Sequence, residues 1–422
     1  ILGLRKSLFW GGILMILGSV ILAIDQKNFF FIGISFTIVG TGFFKPNISS
    51  MVGQLYKEGD PRRDAGFSFF YMGVNLGALI GGYICIAVAE GSMWQSLVPE
   101  HLRWNVGFGF AALVMVISLL TFTQTQKTLS TIGLSPLQEL ATSKRKILEI
   151  ATYLGSLLVI PVIIIMVANT KYTDYFMMVI GPASILYLFY EMKNFSISEN
   201  KKLLAALVFI IFSIFFWAFF EQSGGSLSLF AANNLNNTIA GVELSPNGVN
   251  NSANSLFVIG FAALVGLVWL WMAKRKIEPN TIIKFGLAFL FLAGGFWIFY
   301  YTQFFADING KTSLGIFTFG WFVITFGELC LSPIGMSAMT KLSPQKTQAV
   351  IMGMWFLASA YGQYFAGILG ANIASASKNM TNLEKLNTYA DGYLQLAIYA
   401  LIAGIVLIAI SPLVKKLMQE VK

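Results

Sequence analysis

Apolar stretches of about 20 residues are long enough to cross the hydrocarbon layer of a bilayer as helix. They recur along this chain at 7–24, 28–54, 66–89, 104–124, 149–168, 174–191, 203–222, 252–273, 282–304, 312–340, 346–373 and 390–414. With no water at that depth, the backbone groups of a spanning segment must pair with one another, which a helix does by itself. The composition agrees: 56% of the 422 residues are hydrophobic and 11% are charged, where a soluble domain carries about 25% charged residues. The fold class that follows is an all-α polytopic membrane protein.

Twelve spans put both chain ends on one side. Of the 28 Lys and Arg, 21 fall in segments on the side of Ile1, among them Arg62, Arg63, Lys144, Arg145, Lys146 and Lys274. Six fall on the other side, and Lys45 lies inside a span. The positive-inside rule then makes both ends cytoplasmic. This asymmetry also explains the net charge of +9, so nucleic acid is not an expected partner.

Cys85 and Cys330 both sit within apolar spans, and His101 is the single histidine. Neither a disulfide framework nor a metal or haem site has ligands to draw on. An enzyme would need a nucleophile–base pair or a metal set, so the chain is not expected to be one. A receptor-like role is a further alternative.

Two connections stand out. Residues 124–146 form a polar cytoplasmic linker, and residues 223–251 form an Asn-rich outside loop. Gly77-x-x-x-Gly81 reads as helix packing, while Pro333, five residues after Glu328, removes a helical N–H and frees a carbonyl beside that carboxylate.

Ionisable residues at bilayer depth cost about 2.5–3.5 kcal/mol each on insertion scales and mark pathways where they occur. Three stand out: Lys45 in GTGFFKPNIS, Glu221 in FFWAFFEQSGG and Glu328 in GELCLSPIGMSAMTKLSP. Glu328 follows a charge-free run from Ser313 to Phe326. Glu90, Asp391 and Lys284, at span ends, read as solvated.

Residues four apart share a helix face. Trp217 thus adjoins Glu221, Tyr71 adjoins Asn75, Trp355 adjoins Ser359 with Phe356 beside it, and Ser332 adjoins Glu328. Asn254 opens its span. One cation, two acids, amides and large aromatic walls suit a zwitterion: a carboxyl group wants Lys45 or another cation, an ammonium group wants Glu328. Burial and neighbouring charge pull a carboxyl's protonation in opposite directions, so Glu221 and Glu328 are placed to exchange protons.

These motifs resemble the proton-dependent oligopeptide transporters of the major facilitator superfamily. GTGFFKPNISSMVGQLY (40–56) and FYMGVNLGALIGGY (70–83) are similar to that family's fourth and fifth helices. FFWAFFEQSGGS (215–226), GELCLSPIGMSAMTKLSP and MGMWFLASAYGQYFAG (352–367) are similar to its seventh, tenth and eleventh, and STIGLSPLQE (130–139) to the segment after its sixth.

The resemblance implies a fold of two helical bundles with an inserted helix pair, and proton-coupled import of di- and tripeptides by alternating access. It implies no cofactor beyond the proton gradient, a functional monomer, and a place in the bacterial cytoplasmic membrane. It assigns proton coupling to Lys45, Glu221 and Glu328. Peptide contact falls to Lys45, Tyr71, Asn75, Trp217, Asn254, Glu328, Trp355, Phe356 and Ser359.

The domains expected are an N-terminal bundle at 1–124, a linker and inserted pair at 125–202, and a C-terminal six-helix bundle at 203–422. Set against the family, the chain begins at the segment before the third helix. The first two helices, with their Glu-x-x-Glu-Arg motif, are not in it. Asn254-Ser255 stands where the family often has Asn-Pro. A transporter of the same fold for nitrate, an amino acid or a drug is the competing reading.

Overall fold

The computed structural model describes residues 1–57, 59–89, 96–137, 140–375 and 380–421. Their helices are α1 (Leu4–Gln54), α2 (Arg62–Ala89), α3 (Arg103–Thr125), α4 (Thr142–Ala168), α5 (Thr170–Glu191), α6 (Ile197–Phe220), α7 (Ser226–Asn234), α8 (Pro246–Lys274), α9 (Thr281–Tyr301), α10 (Leu314–Leu342), α11 (Gln348–Ser375) and α12 (Asn382–Met418). A two-stranded hairpin pairs β1 (Thr238–Ile239) with β2 (Val242–Glu243). Among the described residues nine helical stretches are long and apolar enough to cross a membrane. This is an integral membrane protein. Glu90, read above as solvated at a span end, and Gln138 and Glu139 lie outside the described residues.

The chain divides into two compact units. One holds Ile1–Lys57, Gly77–Lys193 and Pro344–Gly353; the other holds Glu58–Leu76, Asn194–Ser343 and Met354–Lys422. Helices α2 and α11 contribute residues to both.

In the first unit the two expected spans at 7–24 and 28–54 are arms of one helical hairpin. The helical geometry breaks only at Asp25 and Phe29. Asp25 holds the break: its Oδ1 accepts from the Lys27 and Asn28 backbone N–H at 3.1 Å, and its Oδ2 from the Asn28 amide at 2.6 Å. The arms touch backbone to backbone. A Cβ on Gly11 would run into the Gly40 carbonyl, and one on Gly18 into the Gly33 carbonyl and Thr37. These pairs are both centred on the turn, and within each arm the glycines are seven residues apart, two helical turns on one face. Small residues allow such approach where lipid gives no hydrophobic drive between helices. By contrast, a Cβ on Gly77 or Gly81 meets no described atom within 4 Å, so the packing expected of that motif is not seen.

The hairpin is tied at both ends. The Asn105 amide of α3 donates to the Ala23 carbonyl at 2.8 Å. Arg5 donates to the carbonyls of Ile132 and Ser130, both at 2.6 Å, and Lys6 pairs with Glu149 of α4 at 2.6 Å. Trp10 donates to Ser156 at 3.0 Å, fastening α1 to α4.

The second unit is built around α9 and α10. Gly327 lies against the Ala288 carbonyl, Gly320 against the Phe299 ring and Gly295 against Ile324. An aromatic cluster of Phe230, Phe296, Phe299, Phe317 and Tyr393 fills the space toward α7 and α12.

The Asn-rich outside loop has more structure than its composition suggests. It contains α7, the hairpin and the first turn of α8, started by Ser245. Buried Asn234 donates to the Gly310 carbonyl at 2.9 Å and the Asn382 carbonyl at 2.7 Å, knotting three loops together.

The hairpin contact sets a prediction. Gly18→Ala forces the arms of α1 apart, an overpacking change worth about 1–3 kcal/mol. It lowers the thermal unfolding midpoint in detergent. Gly42→Ala, on the same helix where a Cβ meets nothing within 4 Å, does not lower it.

Candidate functional site

Helix α10 runs through Pro333 without interruption, with Glu328 near its centre. The Glu328 side chain is 3% exposed. Its two oxygens have different partners. The Tyr71 hydroxyl of α2 donates to Oε1. The Asn254 amide of α8 donates to Oε2 at 2.6 Å and reaches Thr325 Oγ1 at 3.2 Å. Thr325 in turn donates to the Trp321 carbonyl of its own helix at 2.8 Å.

Packing fixes these donors. Val258, Ala262 and Leu329 form a buried apolar cluster against which Tyr71, Met72, Phe261 and Val265 pack. The Asn75 amide donates to the Tyr71 carbonyl one turn back at 3.1 Å. Tyr71, Asn254 and Glu328 are thus brought together, with Asn75 behind them. A carboxylate has about four acceptor sites; two donors leave capacity for an ammonium group, a water or a proton.

Glu221 sits where α6 gives way to a tight turn, half-buried, and accepts from the Gln363 amide of α11 at 3.2 Å. Sequence reasoning passed over its neighbour Gln222, which is fully buried. Gln222 donates to the Ala218 carbonyl at 3.2 Å and the Ala366 carbonyl at 3.3 Å, and accepts from Ser226 at 2.9 Å. It fixes the turn that carries Glu221.

The aromatic candidates differ in exposure. Trp355 is 3% exposed: its ring covers Gly335, where a side chain would collide with it, and meets Phe285 at 6.0 Å. Trp217 is half-buried, packed on Phe216 and Phe220 and over Gly362. Phe356 and Ser359 are half-buried on α11. Lys45 stands on the second arm of α1, in the first unit, with an exposed side chain.

One expectation is overturned. Lys284, read as solvated at a span end, is 1% exposed. Its ammonium pairs with Asp64 Oδ2 at 3.0 Å and Glu278 Oε1 at 2.5 Å, and lies 4.8 Å from the Trp269 ring centre. Asp64 is 5% exposed and also accepts from Ser337 at 2.5 Å and from Lys341. A cation cannot be buried alone at tolerable cost, but it can where acids meet it. Those acids come from the first turn of α2, two residues before the span edge read from hydropathy, and from the α8–α9 turn. Asp391, read the same way, is exposed.

Just outside this cluster lies the half-buried Asp60 carboxyl. The Arg62 guanidinium hydrogen-bonds it and holds its pKa down at about 2.

With this geometry in hand, comparison with known proteins gives a consistent answer. A peptide transporter YePEPT of Yersinia enterocolitica subsp. palearctica is 33% identical over 405 residues, covering 90% of this chain and 76% of that protein. A di-/tripeptide transporter of Lactococcus lactis subsp. cremoris is 29% identical over 441 residues, covering all of this chain and 83% of its own length. Among solved structures, a mutant of a peptide transporter POT in complex with alafosfalin superposes with a TM-score of 0.70 at 30% identity. It covers 99% of this chain and 82% of that one. The family model PTR2, the POT family, matches residues 5–389. The chain belongs to the POT family, whose members are transporters of the major facilitator type.

Proposed function

We propose that this protein is a proton-coupled symporter that imports di- and tripeptides by alternating access. The observation that carries the reading is Glu328: a carboxylate inside an apolar helix, held by one hydroxyl and one amide, with acceptor capacity left over. A buried acid whose donors among the described residues are neutral has two ways to balance its charge. It takes a proton, or it takes an ammonium group such as a peptide's amino terminus. Those two states are what coupling peptide to proton requires.

In this reading Glu328 binds the peptide amino terminus, and Lys45 receives the carboxyl end and takes part in coupling. Glu221, steadied by Gln222 and Gln363, is the second proton-exchanging acid. Tyr71, Asn75 and Asn254 supply the polar wall, and Trp217, Trp355, Phe356 and Ser359 the tolerant one. Relatives named as peptide and di-/tripeptide transporters support the substrate class.

The proton gradient supplies the driving force and no cofactor is involved. The protein works as a monomer in a bacterial cytoplasmic membrane, with both ends inside. Functionally it comprises an N-terminal bundle at 1–124, an inserted pair at 125–202 and a C-terminal bundle from 203 on.

Uptake of a labelled dipeptide into proteoliposomes tests this. Glu328→Gln abolishes accumulation driven by a proton gradient and weakens peptide binding about 10–100-fold, the range for a lost hydrogen bond to a charged group. Wild-type accumulation in that variant rules out its coupling role. Lys45→Ala reduces gradient-driven uptake more than peptide counterflow; an equal loss in both reduces Lys45 to a binding residue. Competition by nitrate, amino acids or drugs, in place of dipeptides, would favour the other substrate class.

A further inference from the structure

We infer that Asp64 is a positioning residue: it sets, through α2, the grip of the Tyr71 hydroxyl on Glu328. The inference rests on the reading of Glu328 as the proton- and ammonium-binding carboxylate.

Asp64 and Tyr71 are seven residues apart on α2, two turns, so their side chains leave the same face. Both reach α10. Tyr71 donates to Glu328, and Asp64 accepts from Ser337 and Lys341. Pro333 lies between these two anchor points on α10. Having no N–H, it leaves the Leu329 carbonyl without its helical donor, a place where a helix bends. Helix α2 therefore holds α10 on both sides of its weakest point, one turn from Glu328.

Little slack separates the two grips. Between them Ser68 lies against Gly266 of α8 so closely that a Cβ on that glycine would meet the Ser68 Cβ at 2.8 Å. The Ser68 hydroxyl bonds back to the Asp64 carbonyl at 3.1 Å. A change at Asp64 is thus carried along the helix to Tyr71 rather than absorbed.

The charges explain why Asp64 is the anchor. Around it stand Lys284 from α9, Lys341 and Ser337 from α10, Glu278 from the α8–α9 turn and the adjacent Arg63, itself buried. Around Glu328 stand Tyr71 from α2 and Asn254 from α8, and Glu221, just past the end of α6, is the other acid of the proposed site. Buried ion clusters seldom stabilise a fold over an apolar alternative, and their best-attested use is to fix register. Removing the Asp64 charge leaves Lys284 with Glu278 alone and takes from Lys341 the acid it pairs with, so the start of α2 shifts and Tyr71 moves with it.

Proton-driven dipeptide uptake, measured against external pH in proteoliposomes, tests this in wild type, Tyr71→Phe, Asp64→Asn and Ser337→Ala, each matched for folded protein. Tyr71→Phe moves the midpoint of the pH profile by about one pH unit, the size of one hydrogen bond to a charged group. Asp64→Asn moves it in the same sense by at least half as much. The Asp64→Asn/Tyr71→Phe double variant moves no further than Tyr71→Phe alone. Ser337→Ala, which removes one donor to Asp64 without unbalancing the cluster, gives a smaller shift in that sense. It alone decides the matter should Asp64→Asn not fold.

A wild-type midpoint with only a lower maximal rate, or shifts that add to that of Tyr71→Phe, overturns the inference and makes Asp64 merely structural. A wild type with no proton-driven uptake removes the underlying reading as well.

Discussion

A carboxylate in a hydrocarbon-depth helix has to be met by donors, and the second unit is arranged to meet one. Glu328 lies in α10, which with α9 is among the most enclosed of the described spans. Its two oxygens draw on two further helices, α2 and α8, for a hydroxyl and an amide. Neither donor carries a charge. The acid is held in place but not neutralised, and that residual demand makes it chemically useful. A lysine or arginine in the same position would have turned the site into a structural ion pair.

The contrast with Asp64 is instructive. There the acid meets two ammonium groups and a hydroxyl, so its charge is already matched. Two buried acids, both contacting α10, have opposite assignments decided by the charge of their partners. One fixes register and the other stays open to exchange. Rigid framing on either side makes this possible. Close glycine contacts hold α10 against α9, and Gln222 pins the turn that presents Glu221.

Much of this was legible along the chain, for a physical reason. Spanning helices are local, so an apolar run of the right length reveals them without knowledge of their neighbours. A single acid within such a run, Glu328, stands out against that background. What was not legible depends on distant partners. Lys284 looked solvated because it stands near a span edge, and the acid that buries it is 220 residues away in the chain. Asn234 looked like loop filler, while its amide ties together loops 76 and 148 residues away. The α1 hairpin had a usable signal in Gly11, Gly18, Gly33 and Gly40, spaced by sevens on each arm. Gly77 and Gly81 carry the better-known spacing, yet a Cβ on either meets no described atom within 4 Å.

The central claim is that Glu328 alternates between a protonated form and a carboxylate that a peptide ammonium group satisfies. Infrared difference spectroscopy of the protein in lipid, between high and low pH, reads that directly. Expected is a protonated-carboxyl band that grows as pH falls, is missing in Glu328→Gln, and is suppressed when dipeptide is present. A pH difference spectrum identical in wild type and Glu328→Gln, or a band indifferent to dipeptide, would contradict it.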